Sequence, residues 1–305
     1  MKKSIFLGLA AVAIVAGGMA QAKPGDRLRA RFDNQNVGSA APEAPGKQTL
    51  AYGQDALQVL DYWPAQGVKG RAPLVVFVHG GGWKKGSKDN ASGPWKAPHY
   101  TSERYAYAAI NYRLVPDATV EQQAADVAAS LKYLIDHAAA LGIDPSQIVL
   151  MGHSAGAHLV ALVGTDERYL KAAGLSFSSI RGVIPVDGAA YDVPRQIAEG
   201  GNFMHDTYLQ AFGEDPARQR ALSPTFQAAA SNAPSFLLIH VQRKDGVAQN
   251  KALEAALQDG GTSVTRQGFP GDGVKGHMEI NRSLGDPSYA ATGVVDAWLK
   301  AVFGK

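Results

Sequence analysis

The pentapeptide GHSAG, residues 152–156, sets Ser154 between Gly152 and Gly156. A serine hydroxyl attacks a carbonyl well only when a base takes its proton, and that base needs a carboxylate to orient it. Small residues two positions either side of the serine permit the sharp turn that lifts a nucleophile out between a strand and a helix. Both elements are legible here: QIVLMG (147–152) reads as the strand and AGAHLVALVG (155–164) as the helix. The first turn of that helix directs amide N–H groups at the reacting centre. Motif and context together mark Ser154 as a nucleophile rather than a structural turn.

Eight histidines compete for the role of base. His79 and His153 lie inside glycine motifs, and His158 is one turn into the helix after the nucleophile. His99, His137 and His205 precede or fall outside the C-terminal loops, and His240 reads as a packed or hydrogen-bonded strand residue. His277 is the expected base, in GDGVKGHMEI after the last strand, where glycines let a side chain swing over the sheet edge. The acid is expected after the penultimate strand, SFLLIHV, which points to Asp245 in QRKDGV. Asp187 and Asp192, after the preceding strand, are its competitors.

A second glycine motif follows an apolar strand in LVVFVHGGGWKKGS, residues 74–87. Consecutive glycines at such a place mark backbone that comes close to something. Gly81 and Gly86 have the spacing of a phosphate loop, but a nucleotide site closes on Gly-Lys-Ser/Thr. Here the order is Gly86-Ser87-Lys88. The remaining reading is a cradle for the oxyanion of acyl transfer. Trp83 is expected to floor or shape a substrate pocket, with an ordinary buried aromatic as the alternative, and His153 is placed in the same pocket. Lys84 and Lys85 read as a solvated face, and Tyr112-Arg113 as a brace for the loop.

These residues need a frame, and strands alternate with helices along the chain. Apolar runs QTLAYG, LQVLDYW, PLVVFVH, YAYAAINYRL, QIVLMG, IRGVIPVDG, SFLLIHV and SVTRQGF read as strands. Ala124, Val127, Leu131, Leu134, Ile135 and Ala138 recur at helical spacing over 120–141. Further helices are expected over 249–257 and 289–302. The pattern predicts an α/β fold, a mostly parallel central sheet with helices on both faces. One catalytic domain over 48–305 is expected, with 189–231 as a cap or pocket insertion. A chain of 305 residues with 46% hydrophobic and 19% charged side chains suits that size.

The N-terminus has the layout of a signal peptide over 1–22. Lys2 and Lys3 open it, 5–16 is apolar, and Ala20-Gln21-Ala22 is an A-x-A cleavage site. The apolar run is short for a span, so no stable membrane anchor is expected. Cleavage after Ala22 would leave a periplasmic or secreted protein with a loose arm over 23–47. The chain has no cysteine, which excludes a lipoprotein anchor and a disulfide framework. Loss of Lys2 and Lys3 would reduce the net charge from +3 to +1, and the remaining charges are scattered. Nothing electrostatic points to nucleic acid.

In YGQDALQVLDYWPA, VFVHGGGWKKGS, INYRL, GHSAGAHL, FGEDPARQRALSP and GHMEI the chain resembles the α/β-hydrolase serine esterases and lipases. More narrowly, it is similar to the HGG-x-W branch of carboxylesterases, feruloyl and acetyl-xylan esterase-like proteins and arylformamidases. That resemblance implies a triad of Ser154, Asp245 and His277, with backbone oxyanion donors at Gly81, Gly82 and Ala155. It also implies a small ester substrate and an acyl-enzyme route that needs no metal or cofactor. An arylformamidase is the alternative within enzymes, and a catalytically silent binding protein is the alternative outside them. The one departure is at the acid. Family members often carry Gly-x-x-Asp-x-x-Val, whereas this chain reads HVQRKDGVAQN over 240–250.

Overall fold

The structure, a computed structural model, describes residues 41–199, 202–229 and 231–304. The expected leader over 1–22 and most of the arm over 23–47 lie outside the described residues. Gln48–Ala51 (β1) and Val59–Trp63 (β2) form an antiparallel pair across the Gly53-Gln54-Asp55 turn. Ala72–Val78 (β3), Ala106–Ile110 (β4), Ile143–His153 (β5), Gly182–Val186 (β6), Ser235–Val241 (β7) and Ser263–Phe269 (β8) complete an eight-stranded sheet. Its order is β1-β2-β4-β3-β5-β6-β7-β8, and every pair beyond β2–β4 is parallel.

Alternation along β3 shows why its sequence is apolar throughout. Leu74, Val76 and Val78 face one core cluster and Val75 and Phe77 the other. A strand covered on both faces has no solvent side to make polar. Lys96–Ser102 (α1) precedes β4 and contributes Tyr100 to the second cluster. Val120–Asp136 (α2) and Ala138–Leu141 (α3) replace the single helix expected over 120–141, and the first covers the other face. Thr119 and Gln122 form a reciprocal capping box that starts α2. His137 breaks the helical geometry between α2 and α3, and Gly142 in the left-handed conformation ends α3.

Ala155–Thr165 (α4) follows β5 and is buried along its whole length. Glu167–Ala172 (α5) was not foreseen. The stretch 189–231, expected as an insertion, holds four helices among its described residues: Val193–Glu199 (α6), Asn202–Phe212 (α7), Pro216–Ala221 (α8) and Pro224–Gln227 (α9). Lys244–Asp259 (α10), Gly273–Ser283 (α11) and Ala290–Val302 (α12) close the fold. Among the described residues no helix is long and apolar enough to cross a membrane.

The sheet order dictates where chemistry can occur. From β3 the chain goes to β4 on one side and later to β5 on the other, opening a crevice at the carboxyl ends of the strands. His79-Gly80-Gly81 leaves β3 there, Ser154 leaves β5, and Asp187 leaves β6. Three loops from three adjacent parallel strands thus meet at one edge.

Candidate active site

Ser154 has φ +56° and ψ −118°, a conformation that side-chain-bearing residues rarely adopt. The surrounding glycines allow it. A Cβ on Gly152 would lie 2.3 Å from Gly156 O, and one on Gly156 would lie 2.1 Å from Val78 O. The Ser154 N–H donates to Val186 O at 3.1 Å, tying the turn to the end of β6. Ala155 opens α4, so its amide is one of the helix-start donors without an intrahelical acceptor.

His277 completes the pair expected from the sequence. Its Nε2 lies 3.0 Å from Ser154 Oγ and its Nδ1 lies 2.6 Å from Asp187 Oδ2. An ionised carboxylate only accepts, so Nδ1 carries the proton and Nε2 presents a lone pair to the serine hydroxyl. The residue sits in α11 rather than in a loop, with Asp272 capping the helix start. Buried Lys96 fixes α11 from behind, donating to Ser92 O at 2.8 Å and to both Asn281 O and Asn281 Oδ1.

The expected acid, Asp245, does not reach the imidazole, and Asp187 stands in its place. α10 begins at Lys244, five residues before the start expected at Gln249, so Asp245 falls in a first helical turn. There its carboxylate meets Arg243 Nη1 at 3.1 and 3.2 Å and Gln196 Nε2 at 3.4 Å. Asp192, the other competitor, accepts from the Arg195 backbone N–H at the start of α6. Asp187 is fully buried and adopts φ +45°. Its Oδ1 accepts from Val241 N at 3.0 Å, and Oδ2 accepts from Arg243 Nε at 2.9 Å as well as from His277. Burial alone would push this carboxyl up. The His277 hydrogen bond and the Arg243 charge outweigh it and hold Asp187 well below the usual carboxylate range.

Gly80 is in contact with Ser154: a Cβ there would lie 2.9 Å from Ser154 Cβ. Gly81 has φ +131° and Gly82 φ +62°, and a Cβ on Gly81 would overlap Lys85 O at 1.9 Å. The Lys84 and Lys85 amides donate to Gly81 O, turning that carbonyl into the loop. Tyr112 braces the loop as expected, stacking on His79 and donating from its hydroxyl to His79 O at 3.0 Å. Arg113 instead pairs with Asp126.

Trp83 and His153 are packed rather than open, each 3% exposed. The Trp83 ring meets His158, Tyr208 and Phe212, and its Nε1–H donates to His158 Nδ1 at 3.3 Å. Thr207 Cγ2 would lie 3.0 Å from a Cβ on Gly82, so α7 rests directly on the glycine loop. His153 backs His277: its ring is 4.5 Å from that of His277, and its Nε2–H donates to His277 O at 2.9 Å. Burial pushes His153 well below the ordinary histidine value, so it remains a neutral donor there.

Sheet order, the strained Ser154 turn between β5 and α4, and the strand-edge loops define an α/β-hydrolase fold. The BD-FAE family model matches residues 60–257, and the chain belongs to that family of α/β-hydrolase esterases. Among curated proteins it is similar to the isoprenylcysteine alpha-carbonyl methylesterase ICME of Arabidopsis thaliana, 27% identical over 206 residues. That match covers 64% of this chain and 48% of the relative. Carboxylesterase NlhH of Mycobacterium tuberculosis is 34% identical over 118 residues, covering 38% of this chain and 36% of the relative. The chain thus spans between about a third and a half of these relatives' lengths. Among solved structures, esterase B from Lactobacillus Rhamnosis (HN001) superposes with a TM-score of 0.75 at 24% identity. It covers 92% of this chain and 93% of its own, a likeness of fold.

Proposed function

We propose that this chain is a serine esterase that cleaves carboxylic esters of small or short-chain acyl substrates. The observation that carries the proposal is His277 held between Ser154 Oγ and Asp187 Oδ2. In the reading proposed here, His277 Nε2 takes the Ser154 proton as Oγ attacks the ester carbonyl. The oxyanion of the tetrahedral intermediate meets the amides of Gly81, Gly82 and Ala155, each donor supplying about 2.7–4 kcal/mol of transition-state stabilisation. Asp187 keeps the Nδ1–H tautomer and compensates the positive charge that forms on the ring. The imidazolium then protonates the leaving alcohol, and water repeats the attack on the acyl-enzyme. Family membership and the esterase names of the relatives support the same reaction class.

Hydrolysis of p-nitrophenyl esters from acetate to dodecanoate, with fluorophosphonate labelling, tests this. The protein should turn over the short esters and be labelled on Ser154, and Ser154→Ala should lose both. Unlabelled protein that cleaves no short ester would remove the proposal. We further propose export, on the basic start, apolar run and A-x-A site of the first 22 residues. Mass spectrometry of protein recovered outside the cytoplasm should then find Lys23 at its N-terminus, and an intact Met1 would contradict export.

A further inference from the structure

Arg243 occupies the place between the two carboxylates that compete for the role of acid. Its Nε lies 2.9 Å from Asp187 Oδ2, the same oxygen that accepts from His277 Nδ1. Its Nη2 donates to Asp187 O at 3.3 Å, so it grips both the side chain and the backbone of a residue held at positive φ. Its Nη1 turns the other way, to both oxygens of Asp245. The guanidinium is mostly buried, whereas the Asp245 side chain is 34% exposed. Asp245 is tied through Gln196 to the Tyr208 hydroxyl on α7.

We propose that Arg243 is a positioning residue for the base. It fixes Asp187 toward His277 and opposes the charge that develops on the ring, and Asp245 determines how much of that opposition is felt. This rests on the serine-esterase reading. A carboxylate shared between an imidazole and a guanidinium attracts a proton to the imidazole less than an unshared one would. Neutralising Arg243 should therefore favour the protonated ring. Neutralising Asp245 should disfavour it, because the arginine charge is then uncompensated.

Other groups facing this cluster do not confuse the sign. His153 against the ring of His277 and His240 near Arg243 are both held low by burial. Burial pushes Tyr208 and Tyr289 up to about 12 and Tyr191 higher still, so these phenols stay neutral. Glu279 on α11, two residues from His277, is held low by the Ser283 hydroxyl and Arg282 and stays ionised throughout. Lys96 is held by Ser92 and Asn281, and its charge bears on His153.

The test compares Arg243→Gln, Arg243→Lys and Asp245→Asn by two readouts. One is the pH profile of kcat/KM on p-nitrophenyl butyrate. The other is NMR titration of the His277 Cε1–H, assigned with His277→Gln. In Arg243→Gln the acid limb and the titration midpoint should move to higher pH by at least about half a unit, with kcat reduced. Asp245→Asn should move both to lower pH by a smaller amount, and Arg243→Lys should return the limb close to its original position. Superimposable profiles, or shifts of the same sign in Arg243→Gln and Asp245→Asn, would overturn the proposal. The NMR midpoints need no turnover, so an inactive protein would defeat the esterase reading while the role of Arg243 is still decided.

Discussion

Asp187 holds φ +45° at the end of β6 because its bonds leave it no other arrangement. Its amide donates to Ile239 O at 2.7 Å, and its carboxylate takes Val241 N, His277 Nδ1 and Arg243 Nε. Strain of this size, about 1–3 kcal/mol, persists only where surrounding contacts over-determine it. Gly81 shows the same logic without a side chain. Gly81→Ala would force a Cβ against Lys85 O at φ +131° and move the amide proposed to hold the oxyanion. We expect kcat to fall by about 10²–10³-fold with KM changed little; near-normal kcat would place the oxyanion donors elsewhere. Ser154 and His277 were legible because each had only one plausible context, a G-x-S-x-G turn and a glycine-flanked histidine after the last strand. Asp187 was not. Followed by Gly188, it reads as an ordinary Asp-Gly turn, the same pattern that Asp245-Gly246 offers. The available signal was its position: VDG leaves β6 as GHS leaves β5, one strand away.

At the scale of elements, the strands were the easiest part to read. Runs such as Ala72–Val78 and Ser235–Val241 are covered on both faces and carry the apolar signal in most of their residues. Helix starts were less legible, and this is where the acid went astray. Lys244–Asp259 begins in a charged turn with Arg243 at its N-cap and no side-chain cap bond. Nothing in QRKDGV marks it as helical. A loop is the natural expectation at His277 for a related reason, since Gly271, Gly273 and Gly276 look like loop residues. Gly276 is instead needed where α11 folds back: a Cβ there would lie 2.7 Å from the Gly271 carbonyl carbon. Within 189–231, α6, α8 and α9 are too short to show a helical stripe. The packing role of this stretch emerges only in three dimensions, where Tyr208 and Phe212 of α7 meet Trp83.

Across the whole molecule, the strand-edge loops and the insertion are joined by buried histidines, and this has a consequence for stability. Burial pushes His79 and His158 down to about 4 and His153 well below its ordinary value. At His79 and His158 the unfolded chain takes up a proton near pH 6.5, whereas the folded protein does not until near pH 4. Their contribution is complete above about pH 6.5 and is lost as pH falls toward 4, about 3 kcal/mol for each of His79 and His158. Asp187, whose folded value is lowered, adds a further loss only below about pH 4. Urea unfolding should therefore show several kcal/mol less stability at pH 4.5 than at pH 7.5. His158→Gln should flatten that dependence. A stability constant across this range would show that these histidines are not held neutral.

Asp187 at the end of β6 is thus proposed as the acid, with the Asp245 carboxylate in α10 acting on it through Arg243. The most direct measurement is kcat/KM on p-nitrophenyl butyrate for Asp187→Asn beside Asp245→Asn, with both proteins confirmed folded. Asp187→Asn should lose on the order of 10⁴ in turnover, while Asp245→Asn should stay within about tenfold of the unsubstituted protein. A collapse in Asp245→Asn with near-normal turnover in Asp187→Asn would contradict the account.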